Sequence, residues 1–90
     1  MLDPNTPVEK LKNIGVKSGE LLRAVGISTY GELAEVGTLE SWRRVKAVAP
    51  YRVSTNWLFA IEGALTNTLW TQLPQPVMDE LRAAAKALSG

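Results

Sequence analysis

Apolar residues recur along the chain at three- and four-residue intervals, and Gly, Pro and capping hydroxyls cut the stretches between them. That is the pattern of short amphipathic helices joined by tight turns. Thr6-Pro7-Val8-Glu9 opens the first, with a hydroxyl at the N-cap, Pro at the first helical position and Glu at the third. Together these make a capping box with the preferred first residue. Val8 and Leu11 share one face, and Asn13-Ile14-Gly15 ends the helix. Ser18 is expected to cap a second helix with Glu20 in its first turn, where the helix dipole favours negative charge. Leu21, Leu22 and Val25 form its buried stripe, and Gly26 suits a left-handed C-terminal position.

Ile27 is placed to pack back onto the helix it leaves. Thr29-Tyr30-Gly31-Glu32 repeats the capping-box signature and starts a helix through Leu33, Ala34 and Val36 to a stop at Gly37. Thr38 is expected to cap a fourth, TLESWRRVKAV, with Leu39, Trp42 and Val45 inward and most of its charge outward. Pro50 ends it, because the residue before proline is pushed away from helical angles.

Ser54 or Thr55 caps NWLFAIEGALTNT, in which Trp57, Leu58, Ala60, Ile61, Ala64 and Leu65 cover so much of the circumference that this helix should be the most buried. Gly63 costs about 1 kcal/mol relative to Ala inside a helix, so it predicts a close approach by neighbouring backbone. Trp70 and Leu73 fall in an irregular link. Pro74-Gln75-Pro76 then starts a last helix, with Asp79 and Glu80 in its first turn and Val77, Leu81, Ala84, Ala85 and Leu88 inward. With no run of alternating β-branched residues, the fold class is all-α. The expectation is a compact bundle of five to six short helices in a single domain over residues 1–90, with tandem helix-hairpin-helix-like elements.

Composition narrows the chemistry. The chain has 90 residues, 46% hydrophobic and 21% charged, values of a soluble globular domain. It has no Cys and no His, which removes disulfides, thiolate metal sites, the commonest metal ligand and the commonest general base. No enzyme activity, cofactor, metal or small-molecule substrate is expected. No apolar run approaches the ~18 residues of a membrane span, so no membrane partner is expected and a cytoplasmic location is the default. Net charge is +1, tilted toward the first half: residues 1–53 carry +2 and residues 54–90 carry −1.

Two glycine-containing connections carry the candidate chemistry. In the first, Gly15 allows a sharp turn, Val16 plugs the gap between helices, and Lys17 and Ser18 stand beside backbone N–H groups that make an anion seat. The second, Gly37-Thr38, follows 22 residues later and leads to Arg43, Arg44 and Lys46, which can steer DNA or an acidic partner. Packing alone also explains the glycines and apolar positions, and a solvated helix face explains the basic residues. Trp42, Trp57 and Trp70 read as core, whereas Tyr51 in its loop reads as a surface contact.

Taken in order, Leu11-x-x-Ile14-Gly15-Val16-Lys17-Ser18, Leu22-x-x-x-Gly26-Ile27-x-Thr29-x-x-Glu32-Leu33, Val36-Gly37, LFAIEGAL and LWTQLP resemble the C-terminal domain of the TfoX/Sxy family over residues 7–88. The resemblance implies a helical domain with helix-hairpin-helix elements, in bacterial proteins linked to regulation of competence for DNA uptake. Full-length members pair it with an N-terminal α/β domain that these residues do not include, so the expectation here is a stand-alone module. The first connection also looks like part of the C-terminal domain of the RNA polymerase α subunit, which contacts DNA and regulators. The usual DNA-binding hairpin has a second glycine where this chain has Lys17, which adds charge but hinders close backbone approach. The expected function is regulation through protein contacts with the transcription machinery or a regulator protein. Weak, sequence-independent DNA binding through both connections accompanies it. The alternative is a pure protein-interaction domain with structural hairpins.

Overall fold

Helices form along the stretches of apolar periodicity, and of the N-terminal capping boxes read from the sequence the one at Thr29–Glu32 is made. The computed structural model describes residues 2–89. Five helices and two single 3-10 turns follow one another: a turn at Val8–Lys10, α1 Val16–Ala24, α2 Tyr30–Val36, α3 Thr38–Val48, α4 Asn56–Thr66, a turn at Trp70–Gln72, and α5 Gln75–Ser89.

The first expected helix is only that 3-10 turn, and Thr6 does not cap it. The reason lies in the backbone around it. The Thr6 carbonyl accepts from the Tyr30 N–H at 2.8 Å, the Val8 N–H donates to Ser28 at 3.0 Å and the Gly31 N–H to Pro4 at 2.8 Å. These bonds hold the segment extended against the start of α2, through a bridge between Pro7 and Thr29. Glu9, freed from capping, pairs with Arg23 of α1, which holds its carboxyl below the ordinary carboxylate range.

The α1 C-terminus closes as the sequence pattern predicts. The Ile27 N–H reaches the Leu22 carbonyl at 2.9 Å and the Gly26 N–H reaches Arg23 at 3.1 Å, with Gly26 at φ +87° and Ile27 fully buried. The α2 capping box forms in both directions: Glu32 N–H to Thr29 Oγ1 at 3.2 Å, and Thr29 N–H to Glu32 Oε1 at 3.1 Å. Two other cap assignments, at Ser18 and Thr38, and two first-turn assignments are corrected. Ser18 lies inside α1, whose N-cap is Gly15, and Glu20 is past its first turn. Thr38 is the first residue of α3, after an N-cap at Gly37. Asp79 and Glu80 sit beyond the first turn of α5.

The α4 helix is central, packed against α2, α3, α5 and the 70–72 turn. Leu58, Phe59, Ile61 and Ala64 are buried on it, each large side chain contributing about 1.5–3 kcal/mol. Leu22, Ile27, Leu33, Val45 and Val53 complete the inner core. Leu88, expected inward, is half exposed at the end of α5, while Met78 near its start packs on the core.

Candidate functional site

The sharp turn of the first connection falls at Asn13 rather than Gly15. Asn13 has φ +71°, whereas Gly15 is extended at φ −105° and ψ −169°, a conformation open to any residue. Asn13 also fastens the connection to the bundle. Its Nδ2 donates to the carbonyls of Ala60 (3.3 Å) and Thr68 (3.0 Å), and its Oδ1 accepts from the Trp70 N–H at 3.1 Å. Gly63 makes room for this, since a Cβ there would overlap both the Asn13 amide and the Thr68 carbonyl. The close approach expected at Gly63 is therefore present, and Asn13 is half of it. Asparagine tolerates left-handed backbone, which is the sequence signal that would have singled it out.

Beyond this fastening the tip is open. Val16 plugs nothing: it is 71% exposed. The first intrahelical bond runs from the Gly19 N–H to Gly15, no side chain caps α1, and its first turn holds no acidic residue. The N–H groups of Val16, Lys17 and Ser18 therefore point outward beside the exposed Lys17 side chain, as an anion seat requires. Lys12 is engaged elsewhere, donating to the Asn67 carbonyl at 3.2 Å.

The second connection is wired differently. Gly37, at φ +87° and ψ 166°, both ends α2 and begins α3. The Thr38 hydroxyl donates to Glu62 Oε1 of α4 at 2.7 Å, which places a carboxylate beside the α3 N-terminus. Arg43 forks onto Glu40 at 2.8 and 2.7 Å while Arg44 reaches the same carboxylate at 2.9 Å. Hydrogen bonds from Arg43 first and Arg44 second pull the Glu40 pKa down to about 2. Lys46 turns back to the carbonyls of Pro50 (3.1 Å) and Val53 (2.8 Å). All three cations of the expected basic cluster thus have partners within the fold.

The two connections also meet different flanks of α4. Asn13 faces Ala60 and Gly63, and Thr38 faces Glu62, roughly 100–160° away around the helix axis. Trp42 is core, with its indole N–H on the Ser54 carbonyl at 3.1 Å, but Trp57 is half-buried and Trp70 exposed. Trp57 and Trp70 line a shallow groove of about 190 Å³ with Ile14, Ser18 and Asn56, directly beside the open tip. Tyr51 is fully exposed, as expected of a surface residue. Among the described residues no three carboxylates come close enough to share a metal, and no helix is long and apolar enough to cross a membrane.

These features define an all-α helix-hairpin-helix-like module with one open and one internally closed connection. The chain belongs to the TfoX C-terminal domain family, whose model matches residues 4–85. It is also similar, at 30% identity and a TM-score of 0.87, to the crystal structure of an uncharacterized protein from Listeria monocytogenes, over 94% of this chain and 96% of that one. No curated protein matches it.

Proposed function

We propose that the domain is a non-enzymatic regulatory module, linked to bacterial transcription and competence, that works through protein contacts made by its open first connection. The observation that carries this reading is the apolar surface there: Trp57 and Trp70 line a groove with Ile14 and Ser18 of the connection, and Val16 and Leu69, next to these residues in the chain, are exposed. Aromatic anchors beside a pocket are what protein interfaces use, and scattered single apolar residues are not. The fold's family supports a regulatory role.

DNA is the second reading, favoured by the uncapped N–H groups of residues 16–18 and by Lys17. With Arg43, Arg44 and Lys46 internally paired, few phosphates can be neutralised, so such binding has a shallow salt slope. Titration of the domain against bacterial RNA polymerase holoenzyme and against a labelled duplex, each at two salt concentrations, separates the readings. Saturable polymerase binding lost in Val16→Glu is expected. Salt-sensitive duplex binding lost in Lys17→Glu, with no polymerase binding, would reverse the order.

A further inference from the structure

A larger groove, of about 430 Å³, lies on the other side of Asn56 from the Trp57 groove, between α3, α4 and α5. Trp42 and Phe59 give it aromatic walls, Ala85 an apolar floor, and Arg82 and Lys86 the charges that line it. Arg82 and Lys86 are the only basic residues after position 53, and α5 brings both to one face because they are four residues apart. The Arg82 guanidinium lies 5.1 Å from the Phe59 ring centroid while one nitrogen holds Asp79 at 3.2 Å. An arginine seated over an aromatic ring keeps its remaining N–H edge free for a carboxylate. No carboxylate lines the groove.

We propose that this groove binds an acidic segment of a protein partner, with a carboxylate on Arg82 and Lys86 and an adjoining side chain at the rim of Trp42. The proposal rests on the protein-contact reading and adds a second contact surface to it. Charge complementarity selects the occupant. The two cations form a patch of only two residues, one of them already paired with Asp79 through a single nitrogen, in a stretch with a net −1 over residues 54–90. A nucleic-acid backbone needs a continued basic track, and this one stops after two residues.

The test is a titration of the full chain followed by amide and side-chain NMR, using the blocked peptide DELFDE, its counterpart KKLFKK and a short DNA duplex. Saturable shifts of the Trp42 indole N–H and the Arg82 Nε–H with DELFDE alone are expected. Arg82→Gln with Lys86→Gln should weaken that binding about tenfold. Asn56→Asp is the second variant: a carboxylate at the first turn of α4 favours the helix dipole, so the fold is retained while an acidic ligand is repelled. Absence of saturable shifts, equal binding of KKLFKK, tighter saturation by the duplex, or unchanged affinity in Asn56→Asp would each overturn the proposal. None of these outcomes alters the Val16→Glu test on polymerase, so failure here and failure of the protein-contact reading are told apart.

Discussion

The two connections share a sequence pattern, apolar-x-x-(Ile or Val)-Gly, yet they are held by opposite means. The first is fixed from behind, by the Asn13 side chain on α4 and the 70–72 turn, and its tip faces solvent. The second is fixed by its own backbone at Gly37 and is covered in front by Glu62. A glycine in a hairpin therefore does not mark a ligand seat. What distinguishes the two is whether a partner from the same fold already occupies the helix N-terminus.

The largest expected effect comes from removing the space behind the first connection. Gly63→Ala puts a methyl group into the Asn13 amide and the Thr68 carbonyl, and the overlap should cost about 3 kcal/mol. That corresponds to a fall in Tm of roughly 12–24 °C for a domain of this size, readable by calorimetry. A Tm within a few degrees of the parent would show that the α4 contact has slack.

Asn13→Ala should follow, at about 2–3 kcal/mol, by removing its three hydrogen bonds to Ala60, Thr68 and Trp70 and by placing Ala at φ +71°. Asn13→Gly separates the causes, since it keeps the backbone freedom and loses only the amide. It should be about 1 kcal/mol less damaging in urea unfolding. If the two variants unfold alike, the left-handed backbone carries no cost here.

At the second connection, Gly37→Ala should cost about 2 kcal/mol, because φ +87° with ψ 166° is a region that essentially only glycine occupies. The same change at Gly15 should be nearly silent: its backbone is extended and a Cβ there meets nothing within 4 Å. Comparable losses at both glycines would erase the distinction between the connections.

Acid should act on the second connection's surface before its backbone. Glu40 has a folded pKa near 2, below the unfolded carboxylate value of 4.5. Its pairing with Arg43 and Arg44 therefore stabilises the fold above that unfolded value and is lost progressively as pH falls toward 2. Glu40→Gln should flatten the acid limb of a stability–pH curve over this window, by a small amount because the groups are exposed.

The signals that were legible in the sequence are those closed by neighbours a few residues away. The Thr29–Glu32 box, the Leu22–Ile27 closure and the all-α bundle all belong to that class. Thr6-Pro7-Val8-Glu9 carries the same box and fails, because Ser28 and Tyr30, 20 and 24 residues on from Val8 and Thr6, take its backbone, and Arg23 takes Glu9. The candidate site suffered likewise. Val16 was legible as part of the first connection but not as exposed. The closure of Arg43, Arg44 and Lys46 depends on Glu40 and on two carbonyls beyond the helix, and that of Thr38 on Glu62, 24 residues away. Arg82 becomes notable only once Phe59 lies beneath it.

The smallest effect is the most discriminating. Gly15 is the N-cap of α1 and contributes no side-chain oxygen, so the N–H groups of residues 16–18 are available to an external anion. Gly15→Asp supplies an internal one. An aspartate in this extended conformation accepts from the second or third N–H and complements the helix dipole, so the domain should gain about 0.5 kcal/mol. Any DNA binding through the first connection should vanish at the same time, with the repulsion falling on the phosphate that Lys17 would attract. Protein contact through Val16 and Trp70 needs none of these N–H groups and should survive. One variant that stabilises the fold therefore separates the two readings without the ambiguity of a damaged domain. Retained duplex affinity in Gly15→Asp would show that phosphate is gripped elsewhere and that the open tip is not its seat.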